Sequence, residues 1–175
     1  MRKFASNRKG FTLVELLIVI VVIGILSAMM MLSSSEAVSS AKATAIVSDL
    51  RSLKTAALAY FADHADEWMT SAPKDKSDAG AIPIDDILQY LNGKDIPNKK
   101  AYKLIPSDKK DAWFVEISIS GTSNSIPLYS NENSSECLAV KKKLAGRAKS
   151  AGLLKERNNP APYDGKYDYI LMLVQ

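Results

Sequence analysis

Residues 9–32 read Lys9-Gly10-Phe11-Thr12-Leu13-Val14-Glu15-Leu16-Leu17-Ile18-Val19-Ile20-Val21-Val22-Ile23-Gly24-Ile25-Leu26-Ser27-Ala28-Met29-Met30-Met31-Leu32. From Phe11 to Leu32 this is an apolar run of 22 residues, interrupted only by Thr12, Glu15, Gly24 and Ser27. As a helix it spans roughly 33 Å, close to the hydrocarbon thickness of a bilayer. Arg2, Lys3, Arg8 and Lys9 precede it and no basic residue follows at once, which predicts an N-terminus on the cytoplasmic side. The run exceeds the about 7–15 residues of a secretory signal core. A carboxylate inside it, Glu15, is costly in lipid and points to a function with a partner. The plainer reading is an acid tolerated near the headgroups at a helix N-terminus.

The stretch Lys9 to Ile20 closely resembles the processing site of the type IV pilin superfamily, which includes type IV pilins, type II secretion pseudopilins and competence pilins. The resemblance implies that prepilin peptidase removes the basic leader, residues 1–10, between Gly10 and Phe11. It implies N-methylation of Phe11 and matches Glu15 to the acid that attracts the N-terminal amine of a neighbouring subunit during assembly. The implied partners are the peptidase, an assembly platform protein with its ATPase, the membrane, and other copies of the chain in a helical filament. The physics is consistent: glycine leaves an extended backbone unobstructed for a protease cleft, and an opposite charge offsets the burial of a carboxylate. Gly24 matches a helix-weakening glycine of the family. Leu32 stands where many members have proline, so no proline break is expected there.

The net charge of +4 resides in the leader, because the other 19 Lys and Arg are matched by 19 Asp and Glu. Beyond residue 10 no general basic footprint for nucleic acid remains. One cysteine, Cys137, rules out an intramolecular disulfide, and the single His64 leaves little material for zinc or a histidine relay.

After residue 35 the pattern becomes amphipathic. Val38, Ala41, Ala45, Ile46, Leu50, Leu53, Ala57, Tyr60 and Phe61 recur at helical spacing. This predicts one helix from about Phe11 to about His64, with 11–35 as membrane or filament-core segment and 36–64 as its amphipathic continuation. Residues 65–111, rich in Pro, Lys and Asp, read as an irregular connection containing one short helix. Asp85 is expected to cap that helix, Ile87, Leu88 and Leu91 to give its apolar side, and Gly93 to end it. Residues 112–175 read as a sheet region with an inserted helix. Its expected parts are a strand at Trp113–Ile119, a turn at Gly121–Asn124 and a return strand at Ile126–Tyr129. A second amphipathic helix follows at about Ser135–Leu154, and a last strand at Tyr167–Val174. The fold class is α+β, a long N-terminal helical spine against a small antiparallel sheet, with the second helix near the C-terminus.

The other candidate sites weigh towards structure. His64 reads as a last-turn or surface residue, and Cys137 as core packing. Lys141, Lys142, Lys143, Arg147 and Lys149 read as a solvated helix face, with phospholipid or an acidic partner as the alternative. The resemblance also draws attention to Asp164 and Asp168 around Gly165, because some type II secretion pseudopilins bind calcium in a C-terminal loop. Two carboxylates plus carbonyls stand against the six or more oxygens calcium takes; an ordinary turn into a strand is the favoured alternative, and no metal, cofactor or catalytic residue is assigned. Asn133-Ser134-Ser135 matches a glycosylation sequon.

The expected function is a structural filament subunit, not an enzyme, held in the inner or cytoplasmic membrane and then exported into an extracytoplasmic filament. The lack of a paired-cysteine C-terminal loop leans it towards a pseudopilin of type II secretion or DNA uptake over an adhesive or motility pilin. The rival reading is a membrane-anchored extracytoplasmic binding domain on an uncleaved signal anchor.

Overall fold

The computed structural model describes residues 10–65, 81–91, 93, 95–107, 112–120, 127–157 and 159–174. Contacts divide the chain between Val38 and Ser39 into two units. Helix α1, Leu13–Asp63, runs through the division.

The first unit holds the apolar part of α1. Sixteen large hydrophobic side chains between Phe11 and Met31 are exposed. A helix apolar on every side suits lipid or the core of a helical bundle, not water. This is the one helix among the described residues long and apolar enough to cross a membrane, and none of its most apolar window is buried.

In the second unit α1 turns amphipathic. Ala43, Ile46, Val47, Leu50, Leu53, Ala56, Ala57 and Phe61 are buried, the three- and four-residue steps that put one helix face into a core. Against it lies a four-stranded antiparallel sheet: β1 (Tyr102–Pro106), β2 (Trp113–Ser118), β3 (Leu153–Leu154) and β4 (Tyr169–Leu173). The strand order is β1-β2-β4-β3. The pleat sends Leu104, Val115, Ile117, Ile170 and Met172 into the core shared with α1, while Ile105, Phe114 and Leu171 form a smaller cluster on the other face. The same unit holds α2 (Ile84–Leu88), continued by a 3-10 turn to Leu91, and α3 (Ser135–Ala151). The side chain of Ser134 caps α3 by accepting from the Cys137 N–H, and Gly152 ends it at φ 70°, where its N–H reaches Ala148 O. Cys137, Val140, Leu144 and Ala148 enter the same core.

The α+β architecture with its long spine and second helix is the expected one; four details depart from expectation. A strand, β1, occupies part of the supposed irregular connection. It is an edge strand, where Pro106 removes no hydrogen bond the sheet needs. Residues 127–129 form no antiparallel return strand; they run parallel to the chain at and just past the end of β2, where Leu128 N–H donates to Ser118 O, Tyr129 N–H donates to Ile119 O, and Tyr129 bridges Ser120. The expected turn at Gly121–Asn124, with Ile126, lies outside the described residues. Helix α3 stops at Ala151, and Leu153–Leu154 pass into the sheet. Asp85 does not cap α2: Pro83 stands at the cap position with no side-chain bond, and Asp85 instead meets Lys99 Nζ at 2.6 Å.

Candidate functional site

Gly10, Phe11 and Thr12 lie outside the helix, and Leu13 begins it. Gly10 is exposed, with open space where a Cβ would stand, and Phe11 is 85% exposed. The Gly10–Phe11 peptide is thus a non-helical, unobstructed bond directly before a regular helix.

The first turn closes on itself. Glu15 N–H donates to Thr12 Oγ1 at 3.2 Å, and Glu15 Oε2 accepts from the Thr12 N–H at 2.7 Å and from the Thr12 hydroxyl at 2.9 Å. The first backbone turn follows, with Leu16 N–H on Thr12 O at 3.3 Å. Thr12 and Glu15 therefore form a capping box, which satisfies helix-end donors that lipid cannot hydrogen-bond. In the sequence Glu15 reads either as an acid awaiting an outside partner or as one tolerated at a helix N-terminus; its bonded role in a capping box goes unread there, although Thr-x-x-Glu before an apolar run is the signature. Both Thr12 bonds fall on Oε2, which leaves Oε1 without a partner among the described residues.

The remaining candidates resolve into structural contacts. His64 stacks on Tyr60 with ring centroids 4.3 Å apart, and its Nδ1 lies 3.0 Å from Tyr60 O, at the end of α1. Cys137 is buried in the core, and burial pushes its thiol pKa up. The basic run is not uniformly solvated. Lys141 lies on the buried side of α3 and meets Asp168 Oδ1 at 2.7 Å. Arg147 donates to Thr44 Oγ1 at 2.5 Å and Ser40 Oγ at 2.9 Å on α1.

The two aspartates of the candidate calcium loop meet different lysines. Asp168 Oδ1 takes Lys141 and the Ser120 hydroxyl. Asp164 accepts from the Lys166 N–H at 3.1 Å and faces Lys155 Nζ at 3.3 Å. Among the described residues no group of three or more His, Cys, Asp or Glu is arranged to hold a metal. Asn131 Oδ1 accepts from the Asn133 N–H, which ties the sequon asparagine into the turn before α3.

No curated protein and no solved structure matches the chain. Residues 5–31 match the family model for the prokaryotic N-terminal methylation motif. That motif marks type IV pilin-like prepilin precursors, and the long apolar N-terminal helix fits it.

Proposed function

We propose that this chain is a structural subunit of a pilus-like filament, inserted with its leader in the cytoplasm, cleaved after Gly10, methylated on Phe11 and then extracted from the membrane into the filament. The observation that carries the reading is the join at the helix start: an accessible non-helical Gly10–Phe11 bond, a Thr12–Glu15 capping box and then a helix whose most apolar window has no buried side chain.

The chemistry supports each step. A helix apolar on every side exchanges lipid for equally apolar neighbouring helices at little cost, so leaving the bilayer is feasible. Cleavage turns the Phe11 amide nitrogen into an amine, a cation once protonated. In a dry filament core Glu15 needs such a cation, and its uncommitted Oε1 can receive the amine of the next subunit without breaking the Thr12 bonds. The residues up to Gly10 act as processing leader, 11–35 as membrane and filament-core segment, and 36–175 as the part displayed outside. The working partners are prepilin peptidase, a platform protein with its ATPase, and other copies of the chain. A pseudopilin of secretion or DNA uptake is favoured over an adhesive pilin, since a single cysteine cannot close a disulfide-bounded C-terminal loop.

Intact mass and N-terminal sequencing of protein recovered from its native membrane test the reading. A start at methylated Phe11 supports it, and a retained leader or a cut beyond the apolar run overturns it. Loss of secretion or DNA uptake without loss of surface fibres, on deleting the chain, favours the pseudopilin; loss of fibres favours the pilin.

A further inference from the structure

We propose that the outer, basic side of α3 rests on the anionic headgroups of the bilayer while the subunit is held in the membrane, a docking that depends on the membrane-held reading above. Two links tie α3 to α1. Near its start Glu136 pairs with Lys42, and near its end Arg147 donates to Ser40 and Thr44. Glu136 and Arg147 lie roughly 16 Å apart along α3, yet their partners fall within about 6 Å of α1. Helix α3 therefore crosses α1 steeply and lays its length beside the Ser40–Thr44 turn.

That turn is tethered close to the apolar run. Ser40 is eight residues beyond Leu32, at most about 28 Å of chain even when fully extended. A tether of that length lets α3 reach the headgroup layer in which the apolar run is anchored.

The charge on α3 suits that surface. Its acid, Glu136, is engaged by Lys42, and Lys141 is engaged by Asp168. Lys142 and Lys149 are exposed on the side opposite Cys137, Val140, Leu144 and Ala148, and Leu138 is exposed beside them. Arg147 is turned towards α1 by its bonds to Ser40 and Thr44, so the outer charge rests on Lys142 and Lys149. Cations flanking an exposed apolar residue on one helix side match an anionic lipid surface. An acidic protein would satisfy the charge equally, but the short tether favours the surface that is always at hand.

The full chain in lipid nanodiscs provides the test, with a nitroxide on the lipid headgroup and the α3 amide signals read by NMR. Broadening from Leu138 to Lys149 is expected in discs containing phosphatidylglycerol, and much less in phosphatidylcholine discs or at high salt. Removing both exposed charges (K142Q/K149Q) should weaken the contact by roughly five-fold per charge, with the thermal midpoint unchanged and with contact retained in K142R/K149R. Equal broadening in both lipids, or indifference to charge removal, overturns the docking. So does crosslinking of positions 142 and 149 to an acidic protein in cells without lipid contact. Recovery of the chain in the disc fraction reports anchoring separately: a chain that inserts without α3 contact overturns the docking alone, and one that stays out overturns the membrane-held reading with it.

Discussion

Lys141 Nζ lies 2.7 Å from Asp168 Oδ1, although the lysine side chain is only 7% exposed. The same carboxylate accepts from Ser120 Oγ at 2.7 Å, and the Asp168 carbonyl accepts from the backbone N–H groups of Ile119 and Ser120. One residue just before β4 thus joins α3, the end of β2 and β4. Burial tends to raise the Asp168 pKa, but the Lys141 and Ser120 bonds outweigh it and hold the carboxyl below its usual range.

Asp168→Ala strands the Lys141 ammonium. Loss of one partner from a dry pair costs about 3–5 kcal/mol. Asp168 is 39% exposed, so water softens the loss and about 2 kcal/mol is expected in urea or thermal unfolding. A depressed folded pKa gives stability that is present above the unfolded value of about 4 and lost as pH falls through the folded one. The gap between wild type and Asp168→Ala should therefore be constant near neutrality and close below about pH 4. A gap that persists in acid counts against the ion pair as its source.

Alkaline conditions should act through the tyrosines. Burial is the main cause of the raised pKa values of Tyr102 and Tyr163, and the Tyr163 hydroxyl also donates to Tyr167 O at 2.9 Å. A folded pKa above the unfolded value of about 10 means stability that is complete below pH 10 and lost above it. The thermal midpoint should fall steeply above roughly pH 10, and Tyr163→Phe should flatten that fall while costing about 1 kcal/mol at neutrality from the lost hydrogen bond. An unaltered alkaline slope in Tyr163→Phe would rule this phenol out as a source.

Two glycines predict opposite signs. Gly165 has φ 87°, and a Cβ there would sit 3.5 Å from Ala145 Cβ and 3.6 Å from Lys141 O. Gly165→Ala should destabilise by about 1–2 kcal/mol, chiefly through the left-handed backbone. Gly146 lies inside α3 with open space around its missing Cβ, so Gly146→Ala should stabilise by about 0.5–1 kcal/mol. Denaturant midpoints of the two variants compared with wild type decide both.

The N-terminal motif and the spine are legible because they are local: glycine, aromatic and acid at fixed offsets, then uniform hydrophobicity giving way to helical spacing at Ala43, Ile46, Leu50 and Leu53. Strand β1 hides because Tyr102-Lys103-Leu104-Ile105-Pro106 sits among lysines and prolines, and its pairing to β2 depends on residues outside that stretch. Lys141 is indistinguishable from Lys142 and Lys143 in sequence; the partner that draws it inward, Asp168, lies 27 residues away. The Thr12–Glu15 box is fully local, yet the acid's anomaly within an apolar run obscures its ordinary role as a cap.

Thr12 can be separated from Glu15 by substitution. Thr12→Val keeps the branched shape and removes the hydroxyl, which both accepts from the Glu15 N–H and donates to Oε2. Losing a cap costs about 1 kcal/mol in water, and more where lipid offers no replacement donor or acceptor. Glu15 then keeps the Thr12-position backbone N–H as its remaining bond within its own helix. Thr12→Ser restores the hydroxyl and should behave like wild type. Cleavage should continue in all three, because the Gly10–Phe11 bond precedes the box, whereas filament yield should drop for Thr12→Val and drop further for Glu15→Ala. Measuring processed subunit and sheared filament in parallel checks the order. Wild-type filament yield from Glu15→Ala would remove the carboxylate from assembly, and equal yields from Thr12→Val and Thr12→Ser would reduce the box to a helix cap.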